Sequence, residues 1–378
     1  MKIGFVLDES FDGTDGIQQY MKCVGEWLAE RGHEVHYLVG ETTRTDIPNI
    51  HSLSRNVRVT FNGNRLSMPL PVSRRRLRAV LDELQPDILH VQAPYSPFMG
   101  GRLIKLAPPT TAVVGTFHIL PYGRLATAGS DILGKINTSS AKRFDAMMAT
   151  SQPSRDFAGK HYGFASAVVA NPFHHDMFSQ ARRGKPAARN VKRIVFMGRL
   201  VKRKGAYELL QAVSYLQKHG LCQVPFEVIV AGKGPELARL QDFTRDHHLT
   251  EVVSFPGFIA EADKAGLLAS ADIAVFPSLS GESFGISLLE GMAASRGVVL
   301  AGNNPGYASV VVDKSQLFDP KDSATFAKLL CKWLKDDNGR AKKAKRQHVH
   351  VAQFDVDVIG PKIEQIYETA LKKARHQA

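Results

Sequence analysis

The stretch GESFGISLLEGMAA, residues 281–294, sets two carboxylates, Glu282 and Glu290, around a short apolar run. A spacing of eight at about 100° per residue would leave them roughly 80° apart on a helix. The Ser283-Phe284-Gly285 segment makes a poor helix interior. The pattern therefore predicts a loop ending near Phe284 and a helix opening at Gly285 or Ile286. Glu282 then stands in the loop and Glu290 in the second turn. A solvated helix surface, a catalytic pair and the two ends of a ligand clamp all remain open at this point.

The sequence on either side has a repeating grammar. ADIAVFPS (271–278) precedes the stretch and GVVLAGN (297–303) follows it, both continuous apolar runs. Upstream lie VKRIVFMGRL, FEVIVAGKGP (226–235) and VVSFPGF (252–258), each followed by a helical pattern or a loop. The amino-terminal half repeats the scheme with KIGFVL (2–7), EVHYLVG, PDILHVQ (86–92) and AVVGTFH (112–118), with a helix expected from Ile17 to Arg31. Apolar strands alternating with amphipathic helices predict parallel sheets covered on both faces. The register restarts near residue 190 after a polar, basic linker. The α/β chain is thus expected to hold two Rossmann-like βαβ domains, residues 1–188 and 189–354, around one cleft. A helical segment, 355–378, follows them.

Composition narrows the function classes. The 378 residues suit two domains, and 44% are apolar, as in ordinary globular proteins. Cys23, Cys222 and Cys331 lie far apart without a CxxC pair, so neither a disulfide framework nor a thiolate metal site is expected. A reducing, cytoplasmic setting fits best. The apolar start of the chain is too short for a signal-peptide core, and no run approaches the roughly 18 apolar residues of a membrane span. The net charge is +13, and both halves carry an excess of Lys and Arg. Such a balance suits anionic partners. No zinc-finger, RNP or helix-turn-helix pattern supports nucleic acid as that partner.

Several stretches carry chemistry. Gly13 and Gly16 stand before the first helix, where glycine lets backbone approach a phosphate and a helix N-terminus favours an anion. The loop lacks GxGxxG, and a plain turn capped by Asp15 accounts for it equally. MGRLVKRKGAYELL (197–210) places Gly198, Arg199, Lys204 and Gly205 where a strand becomes a helix. Two cations there can neutralise a diphosphate, Arg199 with a planar fork, or can simply be surface charges. His118 ends a strand where such sheets bind ligands, and is a candidate for polar contact or proton work as well as a structural histidine. His90, one strand over, reads as structural. Asp355-Val356-Asp357 and His174-His175-Asp176 do not read as metal sites. In RRRLRAVLDEL (74–84), Arg74, Arg75 and Arg78 accompany Leu77, Val80, Leu81 and Leu84 at helical spacing. The segment is either a membrane-surface helix or an ordinary packed one.

Taken in order, GRL with Lys204-Gly205, VIVAGKGP, SFPGF, ADIAVFPS and GESFGISLLEGMAA resemble the retaining GT-B glycosyltransferases of family 4. The resemblance runs over essentially the whole chain. Within that family SFDGTDGIQQ, FNGNRL (61–66), GTFH (115–118) and GESFGI are most similar to the phosphatidylinositol α-mannosyltransferases. The resemblance implies a hexose, mannose, moved from a nucleoside-diphosphate sugar to a lipid-linked polar acceptor such as phosphatidylinositol. Surface-polysaccharide or soluble-glycoside synthesis and a non-catalytic GT-B binding protein are the alternatives. The co-substrate would be GDP-mannose or a UDP-sugar, with no metal and no tightly bound cofactor. The enzyme would be a monomer, peripheral on the inner face of the membrane, with its last helix crossing back to the amino-terminal domain.

The resemblance also assigns roles by position. His118, Arg199, Lys204 and Glu282 would be the catalytic set. Arg199 and Lys204 would hold the donor diphosphate, Glu282 the sugar hydroxyls and Glu290 the ribose. Gly198, Gly232, Phe258, Ser283, Phe284, Gly285 and Ile286 would complete the donor site. Gly16 would close on phosphate, and Gly16, Gln18, Asn62, Arg65 and His118 would face the acceptor. Arg74, Arg75, Arg76 and Arg78 would meet the membrane. Three positions depart from the family pattern. Asp15-Gly16 replaces Gly-Gly, Asn171-Pro172-Phe173-His174 replaces Asn-Gly before an acid, and Glu290-Gly291-Met292-Ala293 replaces Glu-Ala-Met-Ala. A carboxylate at Asp15 is unfavourable beside a diphosphate unless it turns away or caps the helix.

Overall fold

The computed structural model describes residues 1–13, 15–61, 64–121, 123–183 and 190–377. The chain divides into two compact units, residues 1–173 with 356–378, and residues 174–355.

The first unit begins with β1 (Lys2–Leu7), α1 (Gly16–Glu30), β2 (Glu34–Val39) and β3 (Ile50–Ser52). A hairpin follows, β4 (Asn56–Phe61) and β5 (Asn64–Pro69), then α2 (Arg74–Leu84) and β6 (Ile88–Val91). Next come α3 (Met99–Leu106), β7 (Ala112–Phe117), α4 (Arg124–Ile136), α5 (Thr138–Ala141), β8 (Ala146–Ala149), α6 (Gln152–Tyr162) and β9 (Ala167–Val168). Seven strands form one sheet in the order β3-β2-β1-β6-β7-β8-β9. Every pairing in it is parallel. Its central strands β1, β6, β7 and β8 are buried almost throughout because both faces are covered. On one face Met21, Val24 and Leu28 of α1 pack on Ile3, Phe5 and Ile88. On the other, Leu77, Leu81 and Leu84 of α2 join Leu103 and Ile104 of α3 against Val6 and Leu89.

The second unit holds α7 (His175–Arg183), β10 (Lys192–Met197), α8 (Ala206–Lys218), β11 (Phe226–Ala231) and α9 (Leu237–Asp246). It continues with β12 (Val253–Gly257), α10 (Glu261–Ala269), β13 (Ile273–Phe276), α11 (Ile286–Ala294), β14 (Val298–Gly302), α12 (Pro305–Ala308) and β15 (Leu317–Phe318). Helices α13 (Ser323–Lys335) and α14 (Asp337–Val351) complete it. Six strands run β12-β11-β10-β13-β14-β15, again parallel. The last helix, α15 (Val356–Gln377), belongs to the first unit. There Trp27 Nε1 donates to Asp357 Oδ1 at 2.8 Å, and Gly360 leaves room for the Trp27 ring, which a Cβ would meet at 2.7 Å.

Each sheet reverses direction beside its first strand: β1 lies between β2 and β6, and β10 between β11 and β13. Doubly wound sheets bind ligands beyond the carboxyl ends of the strands at such a reversal. The loops carrying Arg199–Lys204 and Glu282 leave β10 and β13, the two strands at the reversal of the second unit.

Two features differ from the sequence reading, and a third bears on an alternative it left open. The first compact unit ends at Phe173, and α7 packs on α10 and α11, so the division precedes α7 where the sequence suggested 188. Phe178 and Ser179 of α7 are buried, which ties that helix to the second unit. The β4–β5 hairpin was not anticipated, although Asn62-Gly63 between its strands is a strong short-range hairpin signal. The apolar side of α2 is consumed by packing, since Leu77, Leu81 and Leu84 are buried, and Arg74, Arg75, Arg76 and Arg78 face outward together with Ala79, Asp82 and Glu83.

Candidate functional site

The loop after β10 is shaped by close backbone approaches. Gly232 has φ +144°, and a Cβ on it would overlap the carbonyl oxygen of Gly198. Gly205 has φ +76°, and a Cβ there would overlap the carbonyl oxygen of Pro277. Only glycine adopts such conformations at no steric cost. The Gly198 N–H donates to Ala231 O at 3.0 Å, and that of Leu200 to Lys233 O at 2.9 Å, so β10 and β11 stay aligned past their ends. The Gly205–Pro277 approach brings Arg203 and Lys204 to the loop leaving β13.

Glu282 is the focus of that meeting. Its Oε1 lies 2.6 Å from Arg203 Nη1, 2.8 Å from Lys204 Nζ and 2.7 Å from Ser278 Oγ. Burial alone would raise this carboxyl, but Lys204, Arg203 and their hydrogen bonds reverse that and hold it at about 2. Burial lowers the Lys204 ammonium, against the attraction of Glu282 and with the repulsion of Arg203 and Arg199. The cluster is thus a largely enclosed anion, its side chain 12% exposed, with two cations on one oxygen. Arg203 was absent from the sequence candidates. It is 79 positions from Glu282, and only the strand order brings them together.

The remaining positions of the stretch fall as the pattern suggested. Gly285 precedes α11, Ile286 opens it, and Glu290 lies in its second turn. A Cβ on Gly285 would press on the Tyr307 ring at 2.9 Å, and the Phe284 ring is buried against Phe354. Glu290 is 4% exposed, 3.7 Å from Lys264 Nζ. Burial pushes its carboxyl up to about 7; Lys264 opposes this and Glu261 adds to it. Lys264 and Glu261, both on α10 and 2.8 Å apart, were likewise missed. Ser283 follows Glu282 in the same loop. Phe258, after β12, is 52% exposed, with Lys233 Nζ 5.5 Å from its ring centre.

In the first unit His118 follows β7 and is 7% exposed. Its Nε2 lies 2.8 Å from Gln92 Oε1, and its ring meets Tyr20 edge-on at 5.0 Å. Burial lowers it to about 3, so it is a neutral imidazole at physiological pH. Burial thus disfavours its cationic form. Its neighbour His90 is wholly internal, 2.6 Å from Tyr367 of α15 on one side and 2.6 Å from Thr116 on the other. Gly16 opens α1, preceded by Asp15, whose side chain makes no capping hydrogen bond. Gln18 Nε2 donates to Ser10 O at 3.0 Å, while its Oε1 is buried without a partner among the described residues. Arg65 pairs with Thr60 in the hairpin, and Asn62 lies outside the described residues.

The basic clusters divide in character. Arg74, Arg75, Arg76 and Arg78 are all exposed on α2, which Ser73 caps, although Arg76 also reaches Ser52 O at 3.1 Å. In the basic stretch KKAKR (342–346) Lys343 is buried, with Nζ 2.7 Å from both Asp313 oxygens, so it is a structural tie. Among the described residues no three His, Cys, Asp or Glu are grouped to hold a metal ion. No described helix is long and apolar enough to cross a membrane.

Two Rossmann-like units of these strand orders constitute the GT-B fold of nucleotide-sugar transferases. Residues 14–177 match the sequence model for Glycosyltransferase Family 4, and residues 178–349 that for Glycosyl transferases group 1. The chain belongs to the family 4 glycosyltransferases. It is 28% identical over 375 residues to the phosphatidyl-myo-inositol mannosyltransferase of Mycolicibacterium smegmatis, covering 98% of this chain and 94% of that one. It is 25% identical over 394 residues to the N-acetyl-alpha-D-glucosaminyl L-malate synthase of Bacillus anthracis, covering 98% of each. Among solved structures, Anabaena Alr3699/HepE in complex with UDP superposes with a TM-score of 0.77 at 18% identity, covering 98% of this chain and 100% of that one. WaaG, a glycosyltransferase involved in lipopolysaccharide biosynthesis, gives 0.70 at 17%, covering 97% and 99%. These two likenesses establish the fold.

Proposed function

We propose that this chain is a retaining α-mannosyltransferase. It moves mannose from GDP-mannose to phosphatidylinositol, or a closely related lipid headgroup, at an anionic membrane surface. The observation that carries the reading is the Glu282 cluster at the sheet reversal, in a chain similar along its length to phosphatidyl-myo-inositol mannosyltransferases. Arg199 and Lys204 hold the donor diphosphate and stabilise charge as it leaves, because fixed cations in a low-dielectric site need no reorganisation. Glu282, ionised and fixed by its partners, accepts hydrogen bonds from the sugar hydroxyls. The backbone of Ser283, Phe284, Gly285 and Ile286 borders the sugar and phosphate, Glu290 takes the ribose, and Gly198, Gly232 and Phe258 shape the base pocket.

The first unit contributes Gly16 to phosphate and His118 to the sugar near the reacting carbon. As a neutral imidazole with Nε2 turned to Gln92, His118 orients the sugar and does not donate a proton as a cation. The acceptor hydroxyl attacks from the face the diphosphate leaves, and a leaving-group oxygen takes its proton. Gln18, Asn62 and Arg65 hold the polar acceptor headgroup, and the α2 arginines draw the enzyme to anionic lipid. The enzyme acts as a monomer, peripheral on the cytoplasmic face.

A soluble acceptor is the second reading, supported by the similarity to the L-malate synthase. A screen of GDP- and UDP-sugars for binding and slow hydrolysis, then for transfer to phosphatidylinositol vesicles or to malate, tests both. GDP-mannose with vesicles supports the proposal. A UDP-sugar turned over only with a small soluble acceptor overturns it.

A further inference from the structure

Arg203 stands closer to Glu282 than Lys204 does, 2.6 Å against 2.8 Å, yet it differs from Lys204 in how it is held. Its main chain is pinned: the carbonyl accepts from Leu279 N at 2.8 Å and lies 3.0 Å from Ser278 Oγ. Its guanidinium is attached, among the described residues, through Nη1 alone. A guanidinium carries five N–H groups in a planar fork, so one edge can serve a carboxylate while the rest serve a second anion. Glu282 satisfies one unit of positive charge, and the loop carries Arg203, Lys204 and Arg199. The surplus charge favours a multiply charged anion beside the carboxylate, and the planar fork of an arginine can reach both from one fixed position.

We propose that Arg203 is a further donor-binding residue, bridging Glu282 to the diphosphate and so tying the position of the sugar-holding carboxylate to that of the leaving group. This rests on the reading that Lys204 and Arg199 hold the donor diphosphate. Arg203 would confer part of the preference for diphosphate over monophosphate, and its loss would affect turnover as well as binding.

The test compares GDP with GMP, and UDP with UMP, by titration calorimetry on wild-type protein, Arg203→Ala, Arg203→Lys and Lys204→Ala. Melting temperatures confirm that each variant is folded, and Arg203→Lys preserves the charge if the alanine variant does not fold. Arg203→Ala should weaken diphosphate binding by about tenfold or more, as loss of a charge-assisted hydrogen bond does, and monophosphate binding by less than about threefold. Arg203→Lys should fall between, restoring charge without the fork. Equal weakening of both nucleotides, or none, in the arginine variants while Lys204→Ala loses diphosphate preference overturns the bridging role and leaves the donor site intact. An unchanged preference in Lys204→Ala as well, or no binding of either diphosphate to wild type, overturns the donor-site reading itself.

Discussion

Two glutamates eight residues apart differ most in charge. Glu282 is held at about 2 by Lys204 and Arg203 despite its burial, whereas burial raises Glu290 to about 7 against a single, more distant lysine. Glu282 is therefore a permanent anion, and Glu282→Gln should lower kcat/KM for transfer by about a hundredfold, the scale for removing a charged hydrogen-bond partner. Steady-state kinetics with unchanged values would remove Glu282 from the sugar site. Glu290 instead titrates near neutrality. The folded protein keeps its proton where the unfolded chain, at 4.5, has released it, so stability falls as pH rises from 4.5 to about 7 and levels off above. Glu290→Gln should flatten that slope in melting curves recorded from pH 5 to 8. If Glu290 takes the ribose as a carboxylate, donor affinity should also decline below pH 7 in wild type and not in the variant. The placement of both glutamates was legible because a poor helix segment separates them. Arg203 and Lys264, which pair with them, were not. They lie on other elements, and a sequence does not show which loops a sheet brings together.

At the scale of elements, glycines and arginines carry the predictions. Gly232 faces the Gly198 carbonyl at φ +144°, so Gly232→Ala must displace the loop that presents Arg199 and Lys204. Backbone strain of this kind costs about 1–3 kcal/mol, to be read as a lowered melting temperature together with lost nucleotide affinity. A variant that melts and binds like wild type would show that the close approach is unimportant. On α2 the buried leucines anchor the helix and leave its arginines to solvent. Changing Arg74, Arg75 and Arg78 to Glu should therefore spare the fold and cut binding to anionic vesicles at least tenfold, since each basic residue near such a surface contributes about 1 kcal/mol. Undiminished co-sedimentation would sink that role for the helix. Strands such as KIGFVL and ADIAVFPS were legible because double-sided burial makes them continuously apolar. The short β3 and β9 and the β4–β5 hairpin were not, having no such continuous apolar run.

At the scale of the molecule, α15 returns to the first unit and is bound into it. Besides Trp27 with Asp357, Glu364 pairs with Arg31 and His33, and Tyr367 reaches His90 inside the sheet. Ending the chain at residue 355 should expose the α1 core and leave the first unit unfolded or melting far below the whole protein, as circular dichroism would show. Native melting of the shortened chain would make α15 an appendage. A helical segment from 355 was legible in the sequence and its return to the first unit was implied by the resemblance to GT-B proteins, but its partner residues were not legible. The central claim concerns the reaction, and one measurement addresses it directly: incubation of the protein with radiolabelled GDP-mannose and vesicles containing phosphatidylinositol. The account predicts a labelled mannolipid whose new linkage is α by NMR, formed by wild type and strongly reduced in Glu282→Gln. A β linkage, or label that never enters lipid while another donor or a soluble acceptor is used efficiently, would contradict it.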